Sequence, residues 1–238
     1  MISLPVPRLN ELLGGLLHLL YPNLCVGCDA DLPGRDYCFC MRCLNRLQHT
    51  EMHTQVENEF TDRFWGRLRI ESGAAMYYFN RKSPIQRALH QLKYKNQPDV
   101  GVRIGRRFGH LLAQSPHFAN VEAIIPVPLH RQKERQRGYN QSAMLAQGLA
   151  ESMRIPVLLN TLVRNTASDS QTRKKRMERF ENVISVFTVK QPERIAGKHL
   201  LLVDDVLTTG ATLESCGNIL LEAPDTRLSL ATIAIALK

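Results

Sequence analysis

Hydrophobic and polar positions give the chain two textures that meet near Ala74. From there on, strand and helix signals alternate. Ala74–Phe79 is small and aromatic and reads as a strand, and Pro84–Tyr94 carries Ile85, Leu89 and Leu92 at helical spacing. Val102–Leu112 reads as a second helix, and Val121–Val127 as a short buried strand closed by Pro126-Val-Pro128. Gly138–Met153 is helical, with Leu145, Leu149 and Met153 on one face beside Ala146 and Ala150. Pro156–Leu159 begins another strand, Val163–Glu181 is polar and basic, and Val183–Val189 is strand-like again. His199–Val203 is a buried strand running into Asp204-Asp205, Ala211–Leu221 is a helix with Leu213, Cys216 and Leu220 on one face, and Leu228–Ala236 is the last strand. Such alternation predicts an α/β domain with a mostly parallel sheet, whose ligands sit at the carboxyl ends of the strands.

Before Ala74 the pattern is different. Leu12–Leu20 is apolar but short, contains His18 and is followed by Tyr21-Pro22, so it reads as a packed helix and not as a signal or anchor. No run reaches the roughly 20 apolar residues of a membrane helix, which makes a cytoplasmic location the expectation and membrane insertion not. His49–Leu68 has no clear period and reads as a connecting element. The expected organisation is a small module over 1–48, a linker over 49–73 and the α/β domain over 74–238.

Composition adds little until the charge is located. Of 238 residues, 44% are apolar and 22% charged, which are globular values that exclude a mostly disordered chain. The net charge is +9. Arg81–Arg107, Arg131–Arg137 and Arg164–Arg179 together hold 18 Lys/Arg against 4 Asp/Glu, so the rest of the chain is net acidic. Positive charge concentrated in particular segments points to an anionic partner such as a phosphate ester, pyrophosphate or nucleic acid.

Five of six cysteines lie between Cys25 and Cys43. Cys25-x-x-Cys28 and Cys40-x-x-Cys43 form two knuckles eleven residues apart, with Pro33-Gly34 as a turn between them. Two such knuckles complete a tetrahedral four-thiolate Zn²⁺ site, closed to water and so structural. Cys38 offers a competing ligand, and Cys40 is preferred for its regular spacing. Cys216, on the apolar face of its helix, reads as a core residue.

The most informative stretch is Leu200-Leu-Leu-Val-Asp-Asp-Val-Leu-Thr-Thr-Gly-Ala-Thr-Leu213. A strand buried on both faces delivers Asp204 and Asp205, two carboxylates able to accept hydrogen bonds from vicinal hydroxyls. Thr208, Thr209, Gly210, Ala211 and Thr212 then form a small-residue turn into a helix, where successive N–H groups and the helix N-terminus favour an anion. The stretch lacks the Gly-Lys-Ser/Thr of a Walker loop and the three glycines of a dinucleotide fingerprint.

This stretch resembles the ribose-phosphate loop of type I phosphoribosyltransferases. Ile124-Ile-Pro-Val-Pro-Leu-His130, Arg135-Gln-Arg-Gly-Tyr-Asn-Gln141, Ser170-Gln171-Thr172 and Arg179-Phe-Glu-Asn182 extend the resemblance to the ComF/GntX family, over about residues 20 to 238. It implies a type I phosphoribosyltransferase-like, mostly parallel sheet flanked by helices, with a small N-terminal four-cysteine zinc module. It also implies binding of 5-phosphoribosyl pyrophosphate (PRPP) or a related ribose phosphate with Mg²⁺. The 5-phosphate would lie on Thr208–Thr212 and the ribose on Asp204 and Asp205. Arg131, Lys133, Arg135 and Arg137, in a loop Leu129–Gly138, would face pyrophosphate. A flexible loop Val163–Asn182 carrying Gln171, Arg179 and Asn182 would close over the site.

The family has been linked to natural competence and DNA uptake. Two functions stay open on the sequence: a transferase moving a phosphoribosyl group to an unknown acceptor, and a non-catalytic PRPP- or nucleotide-binding module. The second would engage single-stranded DNA or a DNA-uptake helicase-type partner. Tyr94, Phe108 and Tyr139 lie among basic residues as base-stacking candidates, or as core aromatics. Oligomeric state is not legible.

Overall fold

A computed structural model describes residues 22–34, 37–165 and 186–237. Its centre is a four-stranded, all-parallel sheet of β1 (Ser72–Phe79), β2 (Ala123–Pro126), β5 (His199–Leu207) and β6 (Arg227–Ala236), in the order β1-β6-β5-β2. β5 and β6 lie in the middle, and their near-continuous apolar runs are buried on both faces. Short helices α1 (Met41–Leu44) and α2 (Glu59–Asp62) precede the sheet, and helices α3 (Pro84–Tyr94) and α4 (Pro98–Gln114) connect β1 to β2. α5 (Arg131–Arg137) and α6 (Gln141–Met153) follow β2, and α7 (Ala211–Leu220) joins β5 to β6. A two-stranded antiparallel ribbon of β3 (Leu162–Arg164) and β4 (Phe187–Val189) lies outside the main sheet.

α3 has the predicted bounds, with Ser83 accepting at its N-cap from the Gln86 N–H at 3.3 Å and Pro84 at the first helical position. α4 is longer at both ends than the apolar spacing suggested. Its Gly101, Gly105 and Gly109 form a stripe against Gly148 of α6. A Cβ on Gly148 would fall 2.0 Å from the Val102 carbonyl oxygen, and one on Gly105 would fall 2.4 Å from that of Leu145. Glycine is required at this crossing because backbone meets backbone.

Four expectations need correction. β5 runs on to Leu207, because Asp204, Val206 and Leu207 continue the ladder to Thr232, Ala234 and Ile235 of β6. On its other edge the ladder stops where the Val127 N–H reaches the Val203 carbonyl at 2.9 Å. The acid pair therefore lies inside the strand as seen from β6, and beyond its end as seen from β2. Pro156–Leu159 gives only a single bridge, Ile124 to Val157, and β3 was not foreseen. The loop expected over Leu129–Gly138 is mostly helix: its residues are good helix formers, His130 Nδ1 accepts from the Gln132 N–H at 3.2 Å, and Gly138 ends the helix at φ 85°.

The fourth correction concerns 49–73, expected as a linker. It contains a 3-10 turn Met52–Thr54 and the short helix α2 (Glu59–Asp62), and it buries Met52, Phe60, Phe64 and Leu68. Asn58 closes a capping box with Thr61 at the start of α2. His49 and Thr50 lie along the free edge of β1, where the Thr50 N–H reaches the Met76 carbonyl at 3.1 Å. The predicted helix Leu12–Leu20 lies outside the described residues, as do Val183–Ser185 of the predicted strand Val183–Val189.

Candidate functional site

The open edge of β5 after Val203 creates a recess lined by the start of α6. Asp204 projects there, with its Oδ1 accepting from Ser142 Oγ at 2.9 Å and from the Asp205 N–H at 2.8 Å. Burial, and next the charge of Asp205, hold the Asp204 carboxyl well above the usual carboxylate range, against the pull of the Asp205 N–H, Ser142 and Lys93. Asp205 is buried, and its Oδ2 meets the Lys93 ammonium at 2.8 Å. Asn140 caps α6 through the Ser142 N–H and donates to the Val127 carbonyl at 2.9 Å, which fixes Ser142 beside β5. Lys93 and Ser142 were not singled out in the sequence. Neither belongs to the short motif, and each reaches the acids from a different helix.

The turn after β5 is open. Thr208, Thr209, Ala211 and Thr212 are exposed, and Gly210 takes φ 83° as the residue before α7. Among the described residues, the N–H groups of Thr209, Gly210 and Thr212 have no protein partner, while Ala211 N–H reaches Thr209 Oγ1 at a long 3.4 Å. The carbonyls of the turn are held from below. Arg63 donates to the Thr208 carbonyl at 2.6 Å and also to the Ala236 carbonyl. Arg67 donates to the Thr209 carbonyl at 3.2 Å and pairs with Glu214 of α7. Phe64 packs against Gly210, where an added Cβ would meet the ring at 3.0 Å. With the carbonyls fixed downward, the intervening amides face outward, and two guanidinium groups lie beneath the place an anion would occupy.

Arg131, Lys133, Arg135 and Arg137 lie on α5, of which no residue is buried. Lys133 and Arg137, with Gln136, line a cavity of about 290 Å³ completed by Lys93, Tyr94 and Asn96. Of the three aromatic candidates, Phe108 is wholly buried, and Tyr139 is half-buried with its hydroxyl donating to the Leu92 carbonyl. Tyr94 alone is exposed. Gln171, Arg179 and Asn182 lie outside the described residues.

Cys25, Cys28, Cys40 and Cys43 come together with their sulfurs all within 4.8 Å of one another. The Cys28 and Cys40 sulfurs are 3.6 Å apart, close to the roughly 3.8 Å edge of a tetrahedron with 2.3 Å Zn–S bonds. This four-sulfur set fits a metal ion. Cys38 is outside it, and burial pushes its thiol up to about 11. Hydrogen bonding, first from the Cys43 backbone, lowers Cys40 to about 7. Cys216 is buried in the core.

A family model described as the phosphoribosyl transferase domain matches residues 140–235, the segment that contains the acid pair and the turn. Competence protein F of Haemophilus influenzae is 29% identical over 216 residues, covering 87% of each chain. Competence protein ComFC of Bacillus subtilis is 26% identical over 87% of this chain and 82% of that one. For DNA utilization protein YhgH of Escherichia coli K12 the match is 28% over 144 residues, so this chain spans 61% of its length. The parallel sheet, its flanking helices and this match define a phosphoribosyltransferase-like domain. With the cysteine cluster, the chain is similar over most of its length to these competence proteins.

Proposed function

We propose that the protein binds PRPP and transfers its phosphoribosyl group to an acceptor. The observation that carries the reading is the exposed turn Thr208–Thr212, pinned from below by Arg63 and Arg67, beside two carboxylates on an open strand edge. The 5-phosphate would take the free amides of the turn. Ribose hydroxyls would donate to Asp204 and Asp205, with Ser142 and Lys93 holding those carboxylates in place. The acids and the phosphates suit a hard divalent cation, and Mg²⁺ bound with PRPP would neutralise the departing pyrophosphate. Lys133 and Arg137 are the candidates for the same task from the protein side, as charge develops on the leaving group. Direct displacement at C1 fits a site in which positioning supplies most of the rate. Cys25, Cys28, Cys40 and Cys43 would hold a structural Zn²⁺, since a four-thiolate site leaves no position for water.

A second reading makes the protein a non-catalytic PRPP- or nucleotide-binding module acting on single-stranded DNA. The exposed basic helix α5 and the competence and DNA-utilization names of the relatives favour it. One experiment separates the two. The protein is incubated with PRPP, Mg²⁺ and a panel of bases and amines, and pyrophosphate is measured, with the Asp204→Asn/Asp205→Asn variant alongside. Acceptor-dependent pyrophosphate that the double variant loses supports transfer. PRPP binding without release supports the module, and PRPP binding unchanged in the double variant rejects the site.

A further inference from the structure

The cavity between the end of α3 and α5 has a chemistry that the acid pair and the phosphate turn do not account for. Tyr94 stands 68% exposed at its wall, an unusual position for a large aromatic ring. The ring is held in place: His90 lies against it at 5.0 Å between centroids, and the Arg137 guanidinium sits 5.7 Å from the Tyr94 centroid. Arg137 is itself anchored by Gln141. The rest of the lining is Lys93, Asn96, Lys133 and Gln136, with no carboxylate. Lys93 is committed to Asp205, so the cavity adjoins the acid pair. A volume of about 290 Å³ lies near the lower end of small-molecule pockets, roughly 300–1,000 Å³.

An ordered aromatic face, two side-chain amides and cations without a matching acid call for a ligand that is flat, carries hydrogen-bonding edges and bears negative charge. We infer that this cavity binds a nucleoside phosphate, with the base stacked on Tyr94 and the phosphate on Lys133 and Arg137. The amides of Asn96 and Gln136 are placed to read the edge of the base. Stacking tolerates any base, so the subsite selects nucleotides as a class more than one base. The ligand is a free nucleotide or the end of a single strand, because both present the same base and phosphate. The inference deepens the second reading above and shares Lys93, Lys133 and Arg137 with the proposed PRPP site, but Tyr94, Asn96 and Gln136 belong to this cavity and not to that assignment.

The test is calorimetric titration of wild type, Tyr94→Ala, Tyr94→Phe and Lys133→Ala with adenosine 5′-monophosphate, a short 5′-phosphorylated oligodeoxyadenylate and ribose 5-phosphate. Tyr94→Ala should weaken binding of the base-bearing probe about tenfold, Tyr94→Phe should restore it, and ribose 5-phosphate should be unaffected by either. Lys133→Ala should weaken the same probe and flatten its salt dependence. If only the mononucleotide shows this pattern, the occupant is a free nucleotide; if only the oligonucleotide does, it is a strand end. Equal affinities in wild type and Tyr94→Ala for both probes overturn the inference. So does an equal loss of ribose 5-phosphate, which would make Tyr94 a support of the neighbouring site. Wild type that binds the base-bearing probes through Tyr94 but not ribose 5-phosphate counts against the ribose-phosphate assignment alone.

Discussion

Asp204 illustrates how one residue can be costly to the fold. A carboxyl whose folded pKa is raised favours the folded state below its unfolded pKa, and that contribution is lost as pH rises through the folded value. Asp204→Asn should therefore melt above wild type near about pH 8, with the difference shrinking toward about pH 4. Thermal melts at the two pH values check this, and a gap that is constant or widens on acidification would contradict it. Arg67 acts from the opposite side of the site. Arg67→Ala removes a donor from the Thr209 carbonyl and a positive charge beneath the turn. Inorganic phosphate affinity should fall by about 1 kcal/mol, roughly fivefold, with folding little changed because Arg67 is partly exposed. Equal phosphate affinities would show that the turn holds its shape without it. The acids and threonines were legible because they sit together in one unbroken motif. Arg63 and Arg67 lie more than 140 residues away in the chain, and no local pattern connects them to the turn.

Among the elements, helices α4 and α6 cross backbone to backbone, and glycine sets their distance. Gly148→Ala gains helix propensity of roughly 1 kcal/mol but forces a Cβ against the Val102 carbonyl. Overpacking should win, giving a net loss of about 1–3 kcal/mol in denaturant unfolding. A variant as stable as wild type would mean that the helices separate without cost. The periodicity found both helices, and the spacing of Gly101, Gly105 and Gly109 was a visible sign of the crossing that apolar periodicity passed over. The ribbon of β3 and β4 was half missed for another reason. Three-residue strands are too short for alternation to register, and their pairing joins segments more than 20 residues apart.

On the scale of the whole molecule, the cysteine module and the sheet share one core. Cys25, Val26, Leu32, Phe39 and Cys43 are continuous with the buried residues of β1 and α3, and Gly27 lies against Pro84 at the start of α3. Metal at the four sulfurs would then stabilise more than the module. Metal analysis should find one zinc per chain, reduced by Cys40→Ser and not by Cys38→Ser. A strong chelator should lower the melting temperature of the whole protein in a single transition, since metal binding is linked to folding. A metal-free protein with unchanged melting would refute this. Among the described residues no helix is long and apolar enough to cross a membrane.

The sequence by itself determined what depends on near neighbours. Helix and strand type follow from apolar spacing, the paired cysteines from two four-residue motifs, and the acid–threonine turn from fourteen consecutive positions. Only the tertiary structure decided what depends on distant segments meeting. It packed 49–73 beneath the turn, brought Lys93 and Ser142 to the two carboxylates, and left Tyr94 exposed while burying Phe108. The physical reason is that burial and ion pairing are properties of three-dimensional proximity. A charged or aromatic side chain has the same local signature whether it ends in solvent, in the core or against a carboxylate, and the packing of the sheet and helices selects among these.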